Sequence, residues 1–286
     1  MRSIRKIGIA LLLILGLIST AFAGGANEAS AKDAADDALE FEAYSGADGR
    51  TAQEIIEEAD TSLMPSDVRA DVTMTLVNRN GSRRVREISF ISKEVNDLNR
   101  MVMHFRAPAD VDGTGFLLIE SDSGETDMWL YLPDLNRVRR IVSSSRTDSF
   151  MGSDLSYSDM ENMQLSDYRF VRFQDDSVNG EACYVVQATP VSEALANDTG
   201  YGRIIYFIST EKRIPIQAVF FDRSGVYFKR MHVHTVEAIG DTWVPTHLEV
   251  EDLGQDHRTI MVLRNVQIDT NPDDSFFTQQ YLQRGN

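Results

Sequence analysis

The sequence predicts a mainly β protein in which one large antiparallel sheet forms a barrel or sandwich. Three observations carry this expectation. About a dozen segments of apolar–polar alternation follow one another from Ala70 to Ile268. Turn signals such as Asn80-Gly81, Asn179-Gly180 and Arg223-Ser224-Gly225 separate most of them. Helical spacing is confined to the two ends of the alternating region and a short stretch near its middle.

The N-terminus reads as a secretory signal peptide spanning residues 1–23. Arg2, Arg5 and Lys6 precede an apolar run from Ile7 to Ile18, and Ala21-Phe22-Ala23 supplies a small-residue cleavage site. That run is short for a bilayer span, which needs about 20 residues. Residues 24–50 are rich in Ala, Asp, Glu, Gly and Ser and are expected to form a disordered acidic linker. The folded domain is expected to cover residues 51–286. Formal charge is −16, or −19 without the leader's three basic residues. Such a charge disfavours nucleic acid or an anionic membrane as a partner through bulk electrostatics. The single cysteine, Cys183, excludes an intramolecular disulfide and reads as a small buried apolar residue.

Thr51 looks like an N-cap, with Ala52, Ile55, Ile56 and Ala59 at helical spacing. This helix should stop near Leu63-Met64, since Pro65 disfavours helix in the residue before it. ADVTMTLVN and RRVREISFIS then read as a hairpin. LNRMVMHFRAP puts Met101, Met103 and Phe105 on one face and Arg100, Val102, His104 and Arg106 on the other. The expected sheet has one dry and one wet face. GFLLIE, DMWLYL and a short basic strand from Asn136 to Ile141 follow. FMGSDLSYSDM comes next, a loop with more large apolar groups than a solvent loop would hold. Alternation then resumes from DYRFVRF to HRTIMVLRNVQI, and NPDDSFFTQQYL reads as a capped terminal helix.

Catalytic motifs are scarce: there is no G-x-S-x-G, P-loop or H-E-x-x-H pattern. His232 and His234 share a strand face, and His247 on a nearby strand is the only candidate third ligand. A solvent-facing pair is the expectation, with no metal and no cofactor. Asp110-Val-Asp112-Gly113 reads as a turn, since further calcium ligands are missing. Asp154 and Asp159 read as caps of a short helix from Ser156 to Met163 or as a carboxylate pair. No nucleophile–base pair is visible, so the protein is not expected to be an enzyme.

MVMHFRAPADVDGTGFLLIE, MWLYLPDLNRVRRI, FMGSDLSYSDM and YFISTEKRIPIQAVFFDRSG resemble the LolA-like family of outer-membrane lipoprotein-sorting proteins. The resemblance runs from about Thr51 to Gln283 and is nearer to an uncharacterised branch than to the lipoprotein chaperone itself. It implies an incomplete, half-open β-barrel round an apolar cavity, with helices covering the mouth. It also implies a periplasmic location in a diderm bacterium, a lipid or acylated lipoprotein as cargo, and an inner-membrane RND/MMPL-type transporter as partner.

The expected function is a periplasmic carrier that shields an acyl chain between inner and outer membranes. A non-carrying accessory subunit of an RND-type exporter is the alternative. The expected cavity wall is Met101, Met103, Phe105, Phe116, Leu118, Met128, Leu130, Leu132, Ile214, Ile216 and Phe220. Phe150, Met151, Leu155, Tyr157 and Met160 are expected at a lid or partner contact. The gating arginine of the chaperone has no expected position here, because Arg100 and Arg106 lie opposite Met101, Met103 and Phe105.

Overall fold

The computed structural model describes residues 6–7, 40–46, 48–63, 65–96 and 98–284. Of the expected leader only Lys6–Ile7 falls among them, as a two-residue strand antiparallel to Met163–Gln164; the cleavage site lies outside the described residues.

One antiparallel sheet of thirteen strands makes the body. Its first six are β1 (Asp67–Val77), β2 (Arg83–Val95), β3 (Leu98–Ala107), β4 (Gly115–Glu120), β5 (Thr126–Leu132) and β6 (Arg137–Arg140). Its last seven are β7 (Tyr168–Val178), β8 (Glu181–Pro190), β9 (Tyr201–Ser209), β10 (Pro215–Asp222), β11 (Tyr227–Ile239), β12 (Thr242–Asp252) and β13 (His257–Ile268). The spatial order is β6-β5-β4-β3-β2-β1-β13-β12-β11-β10-β9-β8-β7. Every neighbour is therefore a sequential hairpin except β1 beside β13. The barrel stays incomplete: β6 and β7 are edges that do not pair with each other.

That order has a direct consequence. The two edges are consecutive in sequence, so the connection from residue 141 to 167 must travel from one side of the open sheet to the other. We call this segment the strap. The sheet is strongly curled beneath it. In a flat sheet β4 and β9, eight places apart, would lie about 38 Å from each other. Here strap residues 150–159 reach both: Phe150 packs on Phe116 of β4, and Asp159 bonds Tyr201 of β9.

Helix α1 (Ala52–Leu63) starts with a reciprocal capping box. Thr51 N–H donates to Glu54 Oε2 at 2.8 Å, and Glu54 N–H donates to Thr51 Oγ1 at 3.2 Å. Its buried stripe, Ala52, Ile55, Ile56 and Ala59, joins the main apolar cluster, and the helix lies against β7, β8 and β12. A shorter helix, α2 (Glu193–Thr199), connects β8 and β9. The terminal helix α3 (Gln279–Arg284) lies on the outer side of β4 and β5.

Two expectations need revision. The outer face of β3 is not wet where α3 covers it. Val102 and His104 are 1% and 2% exposed, and Val102 shares a second apolar cluster with Ile91, Leu117, Tyr131, Phe277 and Leu282. His104 Nε2 lies 3.2 Å from the Leu282 carbonyl. Gly115 permits this close approach: a Cβ there would sit 2.6 Å from Leu282 Cδ1. In addition, the end of the expected linker runs along edge strand β7. Ala43 bridges Phe173, Gln174 N–H donates to the Glu42 carbonyl at 2.9 Å, and Phe41 stacks on Phe173. Covering an edge in this way protects it from pairing with another chain.

Candidate functional site: an apolar interior closed by a strap

Cross-strand register fixes which side chains point inward. Phe90 pairs with Met103 and Met103 with Phe116, while Phe116 pairs with Leu130; Met101, Leu118 and Met128 line up likewise. Directly opposed residues share a face, so one apolar wall runs across β2–β5. All eleven wall candidates belong to one cluster. Met101, Met103, Phe105, Phe116, Leu118, Met128, Leu130, Ile214, Ile216 and Phe220 are buried, and Leu132 packs against them partly buried.

The strap enters this interior. Phe150 (0% exposed), Leu155, Tyr157 and Met160 are buried in the same cluster, and Met151 packs on it partly buried. Phe150 is the centre of an aromatic group, with ring centroids 5.1 Å from Phe116, 5.6 Å from Tyr157 and 6.3 Å from Phe105. Full burial of such a ring contributes about 1.5–3 kcal/mol. The strap holds short 3₁₀ turns at Phe150–Gly152 and at Ser158–Met160, the second in place of the helix expected from Ser156 to Met163. Met151 adopts φ +51°, a left-handed conformation that is uncommon for residues other than glycine. Gly152 follows at φ +74°, which turns the chain sharply back.

Polar contacts tie the strap to the sheet. Lys229 Nζ lies 2.7 Å from Asp159 Oδ2, and Tyr201 Oη donates to Asp159 Oδ1 at 2.6 Å. Lys229 also bonds Tyr201 Oη. Burial, joined by the Asp159 charge, pushes the Tyr201 hydroxyl well above its ordinary value. Asp154 accepts from Thr259 Oγ1 at 2.6 Å, and His257 Nδ1 lies 2.8 Å from its carboxylate. Burial raises the Asp154 carboxyl, and the hydrogen bonds to Thr259 and His257 oppose that shift. Arg146 donates to the Thr126 carbonyl of β5 at 3.0 Å and, within the strap, to Glu161 at 2.9 Å.

The fourth tie was missed in the sequence. Arg86 of β2 is 8% exposed and donates to the main-chain carbonyl of Met151, with its guanidinium over the Phe105 ring. Burial pulls its pKa down from the ordinary arginine value. The signal was present in RRVREISF: Arg86 alternates with Ile88 and Phe90, which places it on the dry face.

An open groove of about 780 Å³ runs beside the strap, lined by Ser153, Asp154, Ser156, Tyr201, Phe228, Lys229 and His257 among others. A smaller cavity of about 150 Å³ lies on the far side of Asp159 and Tyr201. The Asp154–His257 pair resembles part of a catalytic triad, but no hydrogen bond from a serine or cysteine to His257 is present among the described residues. On the outer face, the ring centroids of His232 and His234 lie 4.7 Å apart, and those of His234 and His247 lie 4.6 Å apart. No group of three His, Cys, Asp or Glu side chains among the described residues is arranged to hold a metal ion. No helix among them is long and apolar enough to cross a membrane.

Solved structures of LolA-like proteins share this incomplete antiparallel barrel. The chain resembles a DUF1329 family protein from Desulfovibrio piger at 27% identity and a TM-score of 0.77, over 81% of this chain and 98% of the other. It resembles a domain assigned to outer membrane lipoprotein sorting from Vibrio parahaemolyticus at 27% identity and a TM-score of 0.75, over 82% and 98% of the two chains. A LolA superfamily protein from Nitrosomonas europaea shares the fold, with 20% identity and a TM-score of 0.64 over 82% and 100%. A family model described as an uncharacterized protein matches residues 97–284, well over half of the chain, and the chain belongs to that family. No curated protein matches it in sequence.

Proposed function

We propose that this protein is a periplasmic carrier that shields a lipid, or the acyl chain of a lipoprotein, in transit between the inner and outer membranes. One observation carries the reading: the strap's Phe150, Leu155, Tyr157 and Met160 fill an apolar interior that is open between two sheet edges. Displacing them would leave an acyl-sized apolar surface facing the gap. The Met residues on that wall suit variable cargo, because Met is flexible and polarisable.

An acyl chain gains about 0.8 kcal/mol per buried CH₂, so it does not cross water unshielded at a useful rate. In the proposed cycle the strap lifts, the chain takes the place of the Phe150 group, and the polar ties set how easily the strap returns. An inner-membrane RND/MMPL-type transporter is the proposed donor or acceptor, and the leader at residues 1–23 fits this location. The grip is non-directional, so the reading needs no catalytic residue.

The test is extraction of the protein purified from a bacterial periplasm, followed by mass spectrometry of the organic phase. A stoichiometric lipid is the expected result. Protein that is empty after mild purification and fails to take up a fluorescent acyl probe contradicts the proposal.

A further inference from the structure

The middle of the inner face of β1–β6 is apolar, and one of its two rims is basic. Arg84 and Arg86 stand opposite Leu76 and Met74 of β1. Arg137 and Arg139 stand opposite Leu132 and Leu130 of β5. Cross-strand partners share a face, so all four arginines lie on the side that carries the apolar wall. The acids on that face of the six strands, Glu94 and Glu120, stand at the opposite end: Glu94 is opposite Asn99, whose N–H donates to the Glu120 carboxylate at 2.8 Å. This is a local inversion in a chain with 44 acidic and 28 basic residues.

The four arginines flank the strap. Arg86 holds the Met151 carbonyl on one side. On the other, the Arg139 charge reaches Tyr157 and opposes the upward shift that burial gives its hydroxyl. Between them sits the Phe150 group. Arg84, Arg137 and Arg139 are exposed, and no ion pair among the described residues engages them. Asp110, in the β3–β4 loop, is the nearby countercharge that acts on Arg86.

We infer that the cargo carries an anionic headgroup, with the phosphate of a phospholipid as the fitting chemistry. Its acyl chain occupies the place of the Phe150 group while Arg84, Arg137 and Arg139 hold the phosphate at the rim. Guanidinium groups suit this role because their planar donors match phosphate oxygens. This inference rests on the carrier reading and assigns the polar end of its cargo.

The test uses the mature protein with monomeric fluorescent phosphatidylglycerol or diacylglycerol of identical acyl chains, retained lipid being measured after gel filtration. Roughly tenfold preference for phosphatidylglycerol is expected, the scale of a few partly exposed charge contacts. The combined variant Arg84→Gln, Arg137→Gln, Arg139→Gln should lose that preference, with diacylglycerol retention and the unfolding midpoint unchanged. Arg86 is left in place because it holds the strap. Equal retention of both lipids by the unaltered protein overturns the headgroup assignment and leaves the carrier reading standing. Retention of neither overturns both. Arginine-dependent adherence to phosphatidylglycerol vesicles without lipid retention, or inorganic phosphate alone occupying the arginines, also overturns the assignment.

Discussion

Lys229 Nζ lies 2.7 Å from Asp159 Oδ2, and both side chains are 6% exposed. A lysine from the sheet wall and an aspartate from the strap thus meet in the interior. Breaking such a buried pair by removing one partner costs about 3–5 kcal/mol, because the other charge is left unmatched. Asp159→Ala should lower stability by that order, read as the midpoint of chemical denaturation. The double variant Asp159→Leu, Lys229→Met should recover most of the loss.

Arg86 acts on the strap's backbone rather than on a side chain. Hydrogen bonds to charged groups contribute about 1.5–3 kcal/mol. Arg86→Met keeps a similar apolar volume and releases the Met151 carbonyl. Amide exchange across residues 148–160 should accelerate about tenfold to a hundredfold, while the β1–β2 and β12–β13 ladders stay protected. Uniform acceleration over the whole sheet would mean that the arginine holds the fold rather than the strap.

Gly115 and Leu282 set the seat of the terminal helix. A Cβ at position 115 would also lie 3.0 Å from the Leu282 carbonyl oxygen, which cannot yield without moving α3. Gly115→Ala should lower the unfolding midpoint by pushing the helix off its seat. Leu282→Ala should cost about 2–5 kcal/mol through the cavity it leaves. Both should expose Val102 and Leu117, read as increased binding of a hydrophobic dye.

Acidification should weaken the fold through its histidines. Burial, then the neighbouring His234 and Arg230 charges, lower His232 from 6.5 to about 4. Burial lowers His104 and His247 as well. The unfolded chain therefore takes up these protons first. Their contribution to stability is complete above pH 6.5, declines as pH falls below it, and for His232 is gone by about pH 4. His232→Asn should flatten part of that decline in denaturation midpoints measured across the window. An unchanged slope would contradict the assignment.

Much of the fold was legible because alternation and turn chemistry are local. β1–β2, β3 and the α1 capping box all follow from neighbours within a few residues. The wall residues from Met101 to Leu132 were legible for the same reason. What alternation cannot carry is contact between distant segments. The pairing of β1 with β13 makes β6 and β7 the edges, and only then must the segment between them become a strap. His104 looked solvent-facing because its cover, α3, arrives some 180 residues later in the chain, at Leu282. Arg86 escaped notice because a charge on a dry face needs a partner, and that partner is a backbone carbonyl without a sequence signature.

In the proposed cycle an acyl chain replaces the Phe150 group on the inner wall. Photo-crosslinking with a diazirine placed mid-chain in a fatty acyl probe tests it most directly. Peptide mass spectrometry should find the label on Phe105, Phe116 and Leu130, and Arg86→Met should increase it. Label confined to the outer face, around Trp129 and around Tyr281 of α3, or spread evenly over the exposed surface, would contradict that cycle.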